Sequence, residues 1–306
     1  MKIGVYAIAC NESKNVRPWL EACREADVIC VTDTGSTDDT PNLLLEGSTV
    51  LSYYTEPFRF DKARNFALEQ AKACNVDVWV SLDLDEYPEK GWRRKLEMAG
   101  TTACQGWRIT IDNGSYSFQN IRAHRRDGWE WKHACHEVLY GPGPVGDAGF
   151  KVVHHQDGTK PRNYLPLLEL DAKENPEDGR AWHYLGREYM YLGRWNEAIE
   201  ALDNAFLYDN WQEQRSMSLV YTSRCEWRRG DRLDARYDAW EAVRTWGSRE
   251  AWVHLTWLLD QEGDPSACIA AENALKIKRK GLYPSEPGAW SRTIEGWLRM
   301  VAEAEE

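Results

Sequence analysis

One stretch decides how the chain folds: VDVWVSLDLDE, residues 76–86. Its first half, residues 76–80, is a nearly continuous apolar run that predicts a buried strand. Its second half places three carboxylates, Asp83, Asp85 and Glu86, where that strand ends. Because alternate residues of a strand share a face, Asp83 and Asp85 are expected to point the same way. Oxygen ligands gathered in this manner suit Mg²⁺ or Mn²⁺ better than Zn²⁺.

The segments around this stretch alternate between predicted strands and predicted helices. Strands are predicted at residues 3–9, 28–32, 49–53, 76–82, 106–112, 116–123, 129–140 and 151–154, and helices at 16–26, 41–45 and 61–74. An Asn113-Gly114 turn predicts a hairpin between the fifth and sixth strands. The alternation predicts an α/β fold whose mostly parallel sheet is flanked by helices. Ligands bind such sheets at the carboxyl ends of the strands, where Asn11, Asp33 and Asp83 would gather.

After about residue 160 the pattern becomes helical and repetitive. Large and small residues between Trp182 and Ala205 fall at the positions of a tetratricopeptide repeat. Gly193 of this repeat recurs as Gly230 and again as Gly263, within two weaker copies. The sequence therefore predicts two domains, an α/β domain at residues 1–160 and a helical domain at residues 161–306. Three helical hairpins stacked as a short solenoid are expected in the second domain, with a generic helical bundle as the alternative.

Composition limits the possible classes of protein. With 306 residues, 42% of them hydrophobic and 28% charged, the chain is expected to be globular. It contains neither a transmembrane run nor a recognisable signal peptide, and its eight cysteines form no Cys-x-x-Cys pair. These features predict free thiols and a cytoplasmic location. The net charge of −11 argues against a nucleic-acid-binding surface, although residues 122–126 are locally basic.

Several short motifs occur in a specific order. They are Ala9-Cys10-Asn11-Glu12, Asp33-Thr34-Gly35-Ser36-Thr37-Asp38, Ala63-Arg64-Asn65, Asp83-Leu84-Asp85-Glu86, His136-Glu137 and His154. In this order and spacing the chain resembles a family 2 glycosyltransferase of the GT-A fold with a C-terminal tetratricopeptide-like domain. The resemblance implies a soluble, metal-dependent, inverting glycosyltransferase that uses a nucleotide-sugar, with a UDP-sugar as the expected donor. Thr34 departs from the family pattern, in which a second acidic residue is common at this position.

The resemblance also implies how the donor is bound. Asp33 would accept hydrogen bonds from the nucleotide base, with Asn11 and Glu12 beside the base and ribose. Arg64 would contact the pyrophosphate, because a guanidinium presents a fixed fork of donors to phosphate oxygens. Asp83 would reach the ribose or a metal-bound water. Thr37 and Asp38, in the same polar turn as Asp33, are interpreted as helix-capping residues rather than ligands.

The expected metal is Mn²⁺ or Mg²⁺, and the resemblance implies the ligand set Asp83, Asp85 and His154. Asp85 would bind the metal directly. His155 is the alternative to His154, and only one of the two should reach the metal, since neighbouring strand residues face opposite ways. The metal would stabilise the negative charge of the departing nucleoside diphosphate.

An inverting transfer also needs a general base that deprotonates the acceptor. Glu137, in the His-Glu motif, is the predicted base, with Glu86 and Asp112 as alternatives. The basic segment at residues 122–126 is expected either to form a solvated face or to touch the acceptor or the diphosphate.

The acceptor is open at this point: a protein or peptide, a glycan, or, less expected for an acidic chain, a modified base in DNA. A second hypothesis is an inactive transferase-fold binding module whose helical repeats recruit a partner. The intact set of motif residues argues against it. A nucleotidyltransferase is a third hypothesis, but residues 9–12 do not form the glycine-rich, basic phosphate loop that such enzymes use.

Overall fold

The computed structural model describes residues 1–114, 116–155, 163–278, 281 and 286–303. The chain divides into two compact units, Met1–Arg162 and Asn163–Glu306, each with its own hydrophobic core. The predicted boundary between residues 160 and 161 lies outside the described residues. None of the eight cysteines forms a disulfide bond, and four of them are buried. In the described part of the chain, no helix has both the length and the apolar character needed to cross a bilayer.

The first unit consists of a large sheet, a two-stranded ribbon and four helices. Its strands are β1 (Ile3–Ala9), β2 (Val28–Asp33), β3 (Thr49–Ser52), β4 (Val78–Ser81), β5 (Glu86–Pro88), β6 (Gly106–Asp112), β7 (Ser117–Arg125), β8 (Glu130–Lys132), β9 (Val138–Tyr140) and β10 (Val145–His154). Its helices are α1 (Ser13–Cys23), α2 (Thr40–Leu44), α3 (Phe60–Lys72) and α4 (Trp92–Ala99). The large sheet has the order β3-β2-β1-β4-β7-β6-β10-β5, and β8 pairs with β9.

The predicted α/β class with a mostly parallel sheet is confirmed. Strands β3, β2, β1 and β4 run parallel, as do β6 and β10, whereas β7 and β5 are antiparallel to their neighbours. Strand β4 is buried along its whole length, as expected for a strand covered on both faces. Gly4 of β1 lies so close to the ring of Trp79 on β4 that a Cβ atom would sit 2.2 Å from it. Because β1 pairs in parallel with both β2 and β4, the carboxyl ends of these three strands meet at one edge of the sheet. At this edge Ala9 is paired with Asp33.

Some short elements differ from the sequence-based expectation. The strand β5 and the helix α4 were not predicted, and the single strand predicted at residues 129–140 is the two-stranded ribbon of β8 and β9. Between these two strands His133 and His136 adopt positive φ angles of 77° and 53°, so the backbone turns there. Three-residue strands carry too little alternation to be recognised in a sequence. The predicted hairpin of β6 and β7 is confirmed, although Ser115 of its turn lies outside the described residues.

The second unit is helical in its described residues. Its helices are α5 (Leu165–Glu174), α6 (Gly179–Tyr191), α7 (Trp195–Tyr208), α8 (Gln212–Arg229), α9 (Arg232–Thr245), α10 (Arg249–Glu262), α11 (Ala267–Lys276), a short 3₁₀ helix (Pro287–Trp290) and α12 (Arg292–Glu303). Helix α6 packs on α7, α8 on α9 and α10 on α11. These pairs confirm the three predicted helical hairpins.

Glycine positions explain why the helices pair in this register. A Cβ atom on Gly186 would lie 2.6 Å from the side chain of Leu202, so glycine lets α6 and α7 approach closely. Gly193, Gly230 and Gly263 follow the first helix of each hairpin and have φ angles of 73°, 96° and 66°. Glycine is favoured in this left-handed conformation at the end of a helix. The three positions that the sequence aligned are thus structurally equivalent.

Candidate active site

Hydrogen bonds tie together the loops that follow β1 and β2. The backbone N–H of Asn11 donates to Ser36 Oγ at 2.9 Å, and Oδ1 of Asn11 accepts the N–H of Thr37 at 2.8 Å. The backbone N–H of Glu12 donates to Thr40 Oγ1 at 2.7 Å. Asn11 and Glu12, predicted beside the base and ribose, therefore shape the loop at the carboxyl edge of the sheet.

Asp38 joins the first residues of two helices. Its Oδ1 accepts the N–H of Thr40 on α2 at 3.0 Å, and its Oδ2 accepts the N–H of Ser13 on α1 at 3.1 Å. Partial burial opposes ionisation, but the hydrogen bonds from Thr40 and Ser13 outweigh it and lower the pKa of Asp38 to about 2. Both oxygens thus accept from the first residues of α1 and α2, but the N-cap residues of these helices are Glu12 and Asp39, and neither makes a side-chain capping bond.

Asp33 ends β2 and is only 5% exposed. Its Oδ2 accepts the N–H groups of Gly35 at 3.2 Å and Ser36 at 3.1 Å. Its Oδ1 is buried and has no hydrogen-bond partner among the described residues. A buried acceptor without a partner is costly, so this oxygen suits a ligand that brings an N–H group.

Arg64 of α3 joins three of the motifs and is 4% exposed. Its Nη2 donates to Oδ1 of Asp83 at 2.6 Å, and its Nε donates to Oε1 of Glu137 at 2.5 Å. Burial disfavours the guanidinium charge, but attraction from Asp83 and Glu137 outweighs it and raises the pKa of Arg64. The Ala-Arg-Asn, Asp-x-Asp and His-Glu motifs therefore meet at one side chain.

A second guanidinium, that of Arg122 on β7, stands on the other side of Asp83. Its Nη2 lies 3.3 Å from Oδ2 of Asp83 and 3.2 Å from Oε1 of Glu86. Burial raises the pKa of Asp83, but Arg64 and Arg122 together hold it well below its usual range. For Glu86 burial dominates and raises the pKa to about 7. Asp83 is therefore the firmly ionised carboxylate of the cluster.

Trp131 of β8 lies beneath both guanidinium groups, a role that no motif predicts. The Cζ atoms of Arg64 and Arg122 lie 4.8 Å and 5.7 Å from the centre of its indole ring, within cation–π range. Asn65, next to Arg64, holds the Trp131 backbone by donating to its carbonyl and accepting its N–H, both at 2.8 Å. The indole N–H donates to the Tyr6 hydroxyl at 2.9 Å. The Asn of the Ala-Arg-Asn motif thus positions the platform for its neighbouring Arg.

Asp85 and His154 form a second, more open pair. Nε2 of His154 lies 3.3 Å from Oδ2 of Asp85, and the two side chains are 24% and 22% exposed. The hydrogen bond to Asp85 is the main reason why the pKa of His154 is raised. The ring of His155 instead packs against Tyr87 with their centres 4.5 Å apart. Of the two candidate histidines, His154 is the one whose side chain faces Asp85.

The third predicted metal residue, Asp83, is differently engaged. Both of its carboxylate oxygens accept hydrogen bonds from arginines, Oδ1 from Arg64 and Oδ2 from Arg122. Across the residues that the structure describes, no group of three or more His, Cys, Asp or Glu side chains is arranged to hold a metal ion. The structure therefore brings Asp85 and His154 together but leaves Asp83 with the arginines.

The three candidate bases have different surroundings. Glu137 lies in the cluster with one oxygen on Arg64. Glu86 is 2% exposed, with its oxygens bound by Arg122 and by the N–H of Asp83. Asp112 belongs to the β6–β7 turn, where its Oδ1 accepts the N–H of Gly114 at 2.9 Å. Of the three, Glu137 combines partial exposure with a place beside Arg64 and Asp83, which are predicted to bind the nucleotide-sugar.

Comparison with known proteins points to the glycosyltransferases, the class that the sequence motifs resemble. No family model matches the chain. The chain is 25% identical over 166 residues to the lipopolysaccharide core biosynthesis glycosyltransferase LpsC of Rhizobium meliloti (strain 1021), covering 48% of this chain and 60% of LpsC. It therefore spans less than two thirds of the length of this curated relative.

Solved structures that are similar to the chain include S. aureus TarS, at 14% identity and a TM-score of 0.44, covering 79% of this chain and 55% of TarS. MamA is similar at 16% identity and a TM-score of 0.34, covering 45% of this chain and 82% of MamA. The α/β unit and the similarity to LpsC together confirm the predicted resemblance to the glycosyltransferases.

Proposed function

We propose that this chain is a metal-dependent, inverting glycosyltransferase that moves a sugar from a UDP-sugar to a glycan acceptor. The observation that carries the proposal is the cluster in which Arg64 joins Asp83 to Glu137 at the carboxyl edge of the sheet. A departing diphosphate needs a nearby cation, and an attacking hydroxyl needs a base, so both requirements are met in one cluster. LpsC is named for lipopolysaccharide core biosynthesis, which supports a glycan acceptor over a peptide or a nucleobase.

The choice of a uridine donor is supported by Asp33. Its buried Oδ1 has no partner among the described residues and would accept a hydrogen bond from the base. Uracil presents an imide N–H, a donor that fits a carboxylate oxygen. The bonds from Gly35 and Ser36 to the other oxygen hold the carboxylate in place for this contact.

Asp85 and His154 fit a divalent cation, because their oxygen and imidazole nitrogen already converge and remain partly exposed. They would hold Mn²⁺ or Mg²⁺, which supplies charge neutralisation for the departing diphosphate when it is bound. Asp83, with both oxygens on arginines, is assigned to orienting Arg64 and reaching the ribose.

Glu137 is assigned to deprotonating the acceptor hydroxyl. Its Oε1 is held by Arg64, whereas its Oε2 makes no hydrogen bond within the described part of the chain. The side chain is 12% exposed, so an acceptor can approach the second oxygen. Arg64 thereby orients the base through one oxygen and leaves the other available for the proton.

Calorimetric titration of UDP into the protein, with and without Mn²⁺, tests the donor site. We expect Mn²⁺-dependent binding that is lost in Asp85→Ala and kept in Asp127→Ala, a matched change of an exposed aspartate. Equal binding with and without Mn²⁺ would reject the metal dependence. If UDP does not bind at all, the transferase proposal fails and a binding module becomes the better interpretation.

A further inference from the structure

The helical unit contains a cavity of about 440 Å³, a typical volume for a small-molecule site. Four tryptophans from four helices line it: Trp195, Trp227, Trp257 and Trp297. Three further apolar side chains also line it: Met190, Val253 and Ile294. The rings of Trp227 and Trp257 meet edge to face with their centres 5.1 Å apart, so two of the indoles already hold each other in place.

Three polar residues also line the cavity, and two of them are engaged elsewhere. Both terminal nitrogens of Arg224 donate to the carboxylate of Glu286, at 2.6 and 2.8 Å. Arg228 is exposed and makes no ion pair or hydrogen bond with any residue that the structure describes. Among the described residues, Arg228 is therefore a positive charge on the cavity wall without an ion-pair partner.

The third polar residue, His254, is uncharged. The hydroxyl of Ser223 donates to the carbonyl of Ala235 at 2.6 Å, so it accepts from Nε2 of His254 at 2.8 Å. Burial lowers the pKa of His254 well below its usual value, which keeps the ring neutral. The ring stacks on Trp257 at an angle of 19° and extends the aromatic wall.

We propose that this cavity binds a small amphiphilic anion, whose apolar body packs against the indoles while its acid group pairs with Arg228. A cation, the usual ligand of an aromatic cage, would face an unpaired arginine here. A sugar or an extended peptide would bring several hydroxyl or amide groups into the cavity. The lining is built from helices, whose backbone groups bond one another, so those polar groups would lack partners. A compact apolar body with one acid group avoids this cost.

Two fluorescent probes test the proposal on the full chain. N-phenyl-1-naphthylamine and 8-anilino-1-naphthalenesulfonate share the same rings, but only the second carries an acid group. We expect saturable binding of both, with the sulfonate preferred by about 2- to 5-fold, since an exposed charge pair contributes up to about 1 kcal/mol. The preference should vanish in Arg228→Gln and persist in Arg244→Gln, a matched change on α9 that does not line the cavity. Equal affinity for the two probes in the unaltered protein would overturn the assignment of an anion.

The apolar part of the site is tested separately. Trp257→Ala should weaken both probes about 10-fold or more, because it removes a central aromatic wall. Val253→Phe should have a similar effect by filling the cavity, and it does not leave a hole in the core. Trp246→Ala, at an exposed tryptophan outside the lining, is the matched control. If both probes bind Trp257→Ala and Val253→Phe as tightly as the unaltered protein, the cavity is not the site.

Discussion

Arg64 and Glu137 are separated by 73 positions in the sequence, yet Nε of Arg64 donates to Oε1 of Glu137 at 2.5 Å. The sequence assigns the two residues to different tasks, one to the pyrophosphate and the other to the acceptor. In the structure they form one ion pair around a buried guanidinium, and Asp83 shares the same guanidinium. Because the two residues share one contact, a substitution at either is expected to change the orientation and the charge pairing of the other.

Arg64→Ala is expected to destabilise the protein by about 3 kcal/mol, because Glu137 would lose its buried partner and Asp83 would keep only Arg122. Urea unfolding measures this free energy. Arg94→Ala, at an exposed arginine of α4, serves as the control and should change it little. If the combination of Arg64→Ala with Glu137→Gln costs the plain sum of the single changes, the two residues are not energetically coupled.

Glu137→Gln should lower the rate of sugar transfer by about 10²-fold or more, because an amide cannot take the proton of the acceptor. The amide oxygen can still accept from Arg64, so UDP affinity should remain close to that of the unaltered protein. Transfer assays and calorimetry separate these two effects. Glu130→Gln, on the exposed face of β8, is the matched control. Full activity in Glu137→Gln would return the base role to Glu86 or Asp112.

Asp33→Asn should weaken UDP binding by about 10-fold. The N–H groups of Gly35 and Ser36 would keep the amide oxygen, so an NH₂ group would replace the oxygen that now lacks a partner. The NH₂ group of the new amide would then face the imide N–H of the base, and neither of these hydrogen-bond donors would have an acceptor. Calorimetry with UDP checks the loss, and Asp39→Asn, an exposed change in the same loop, should leave binding intact. Unchanged affinity in Asp33→Asn would exclude this oxygen as the base contact.

Gly186→Ala should destabilise the helical unit by about 1–3 kcal/mol, because the new methyl group would meet Leu202 at 2.6 Å. This cost exceeds the gain of up to about 1 kcal/mol that alanine normally brings to a helix. Gly296→Ala in α12 is the matched control, since no atom lies within 4 Å of its added Cβ. Thermal unfolding should show a lower midpoint for Gly186→Ala and an equal or higher one for Gly296→Ala. The opposite order would mean that α6 and α7 are not in close contact.

The helical unit should lose stability as the pH rises from about 4.5 to 8. Burial, with the carboxylates of Asp238 and Asp234 adding to it, raises the pKa of Glu226 from 4.5 to about 8. The folded state then binds more protons than the unfolded state across this range, so unfolding becomes easier as the pH increases. Midpoints of thermal unfolding at pH 5.5 and 8.5 should differ less in Glu226→Gln than in the unaltered protein. Glu272→Gln, at an exposed side chain of α11, should preserve the full difference.

Long elements with a strong pattern could be predicted from the sequence. Strand β1 and strand β6 have the expected bounds, and the recurring glycines correctly located the helical hairpins. The three-residue strands β5, β8 and β9 could not be recognised, because so few residues show no periodicity. Helix α4 was also missed.

Contacts between individual side chains could be predicted less completely than the fold. The sequence located Arg64, Asp83 and Glu137 through family motifs, but it could not show that they share one contact. Trp131 lies in a segment without a motif, and its role depends on Asn65, 66 positions away. Contacts of this kind arise from the packing of separate elements, which local patterns do not encode.

The place of β10 in the sheet has a consequence for biosynthesis. The edge strand β5 directly follows Asp85, and its one neighbour in the sheet is β10, where Glu86 pairs with His154. Until the ribosome has released residues 152–154, the acidic motif has no strand to pair with and Asp85 has no histidine beside it. Because domains generally fold as units during translation, the candidate metal pair can form only when the first unit is almost fully synthesised. A nascent chain that stalls before β10 would therefore carry Asp85 without the histidine that faces it in the folded unit.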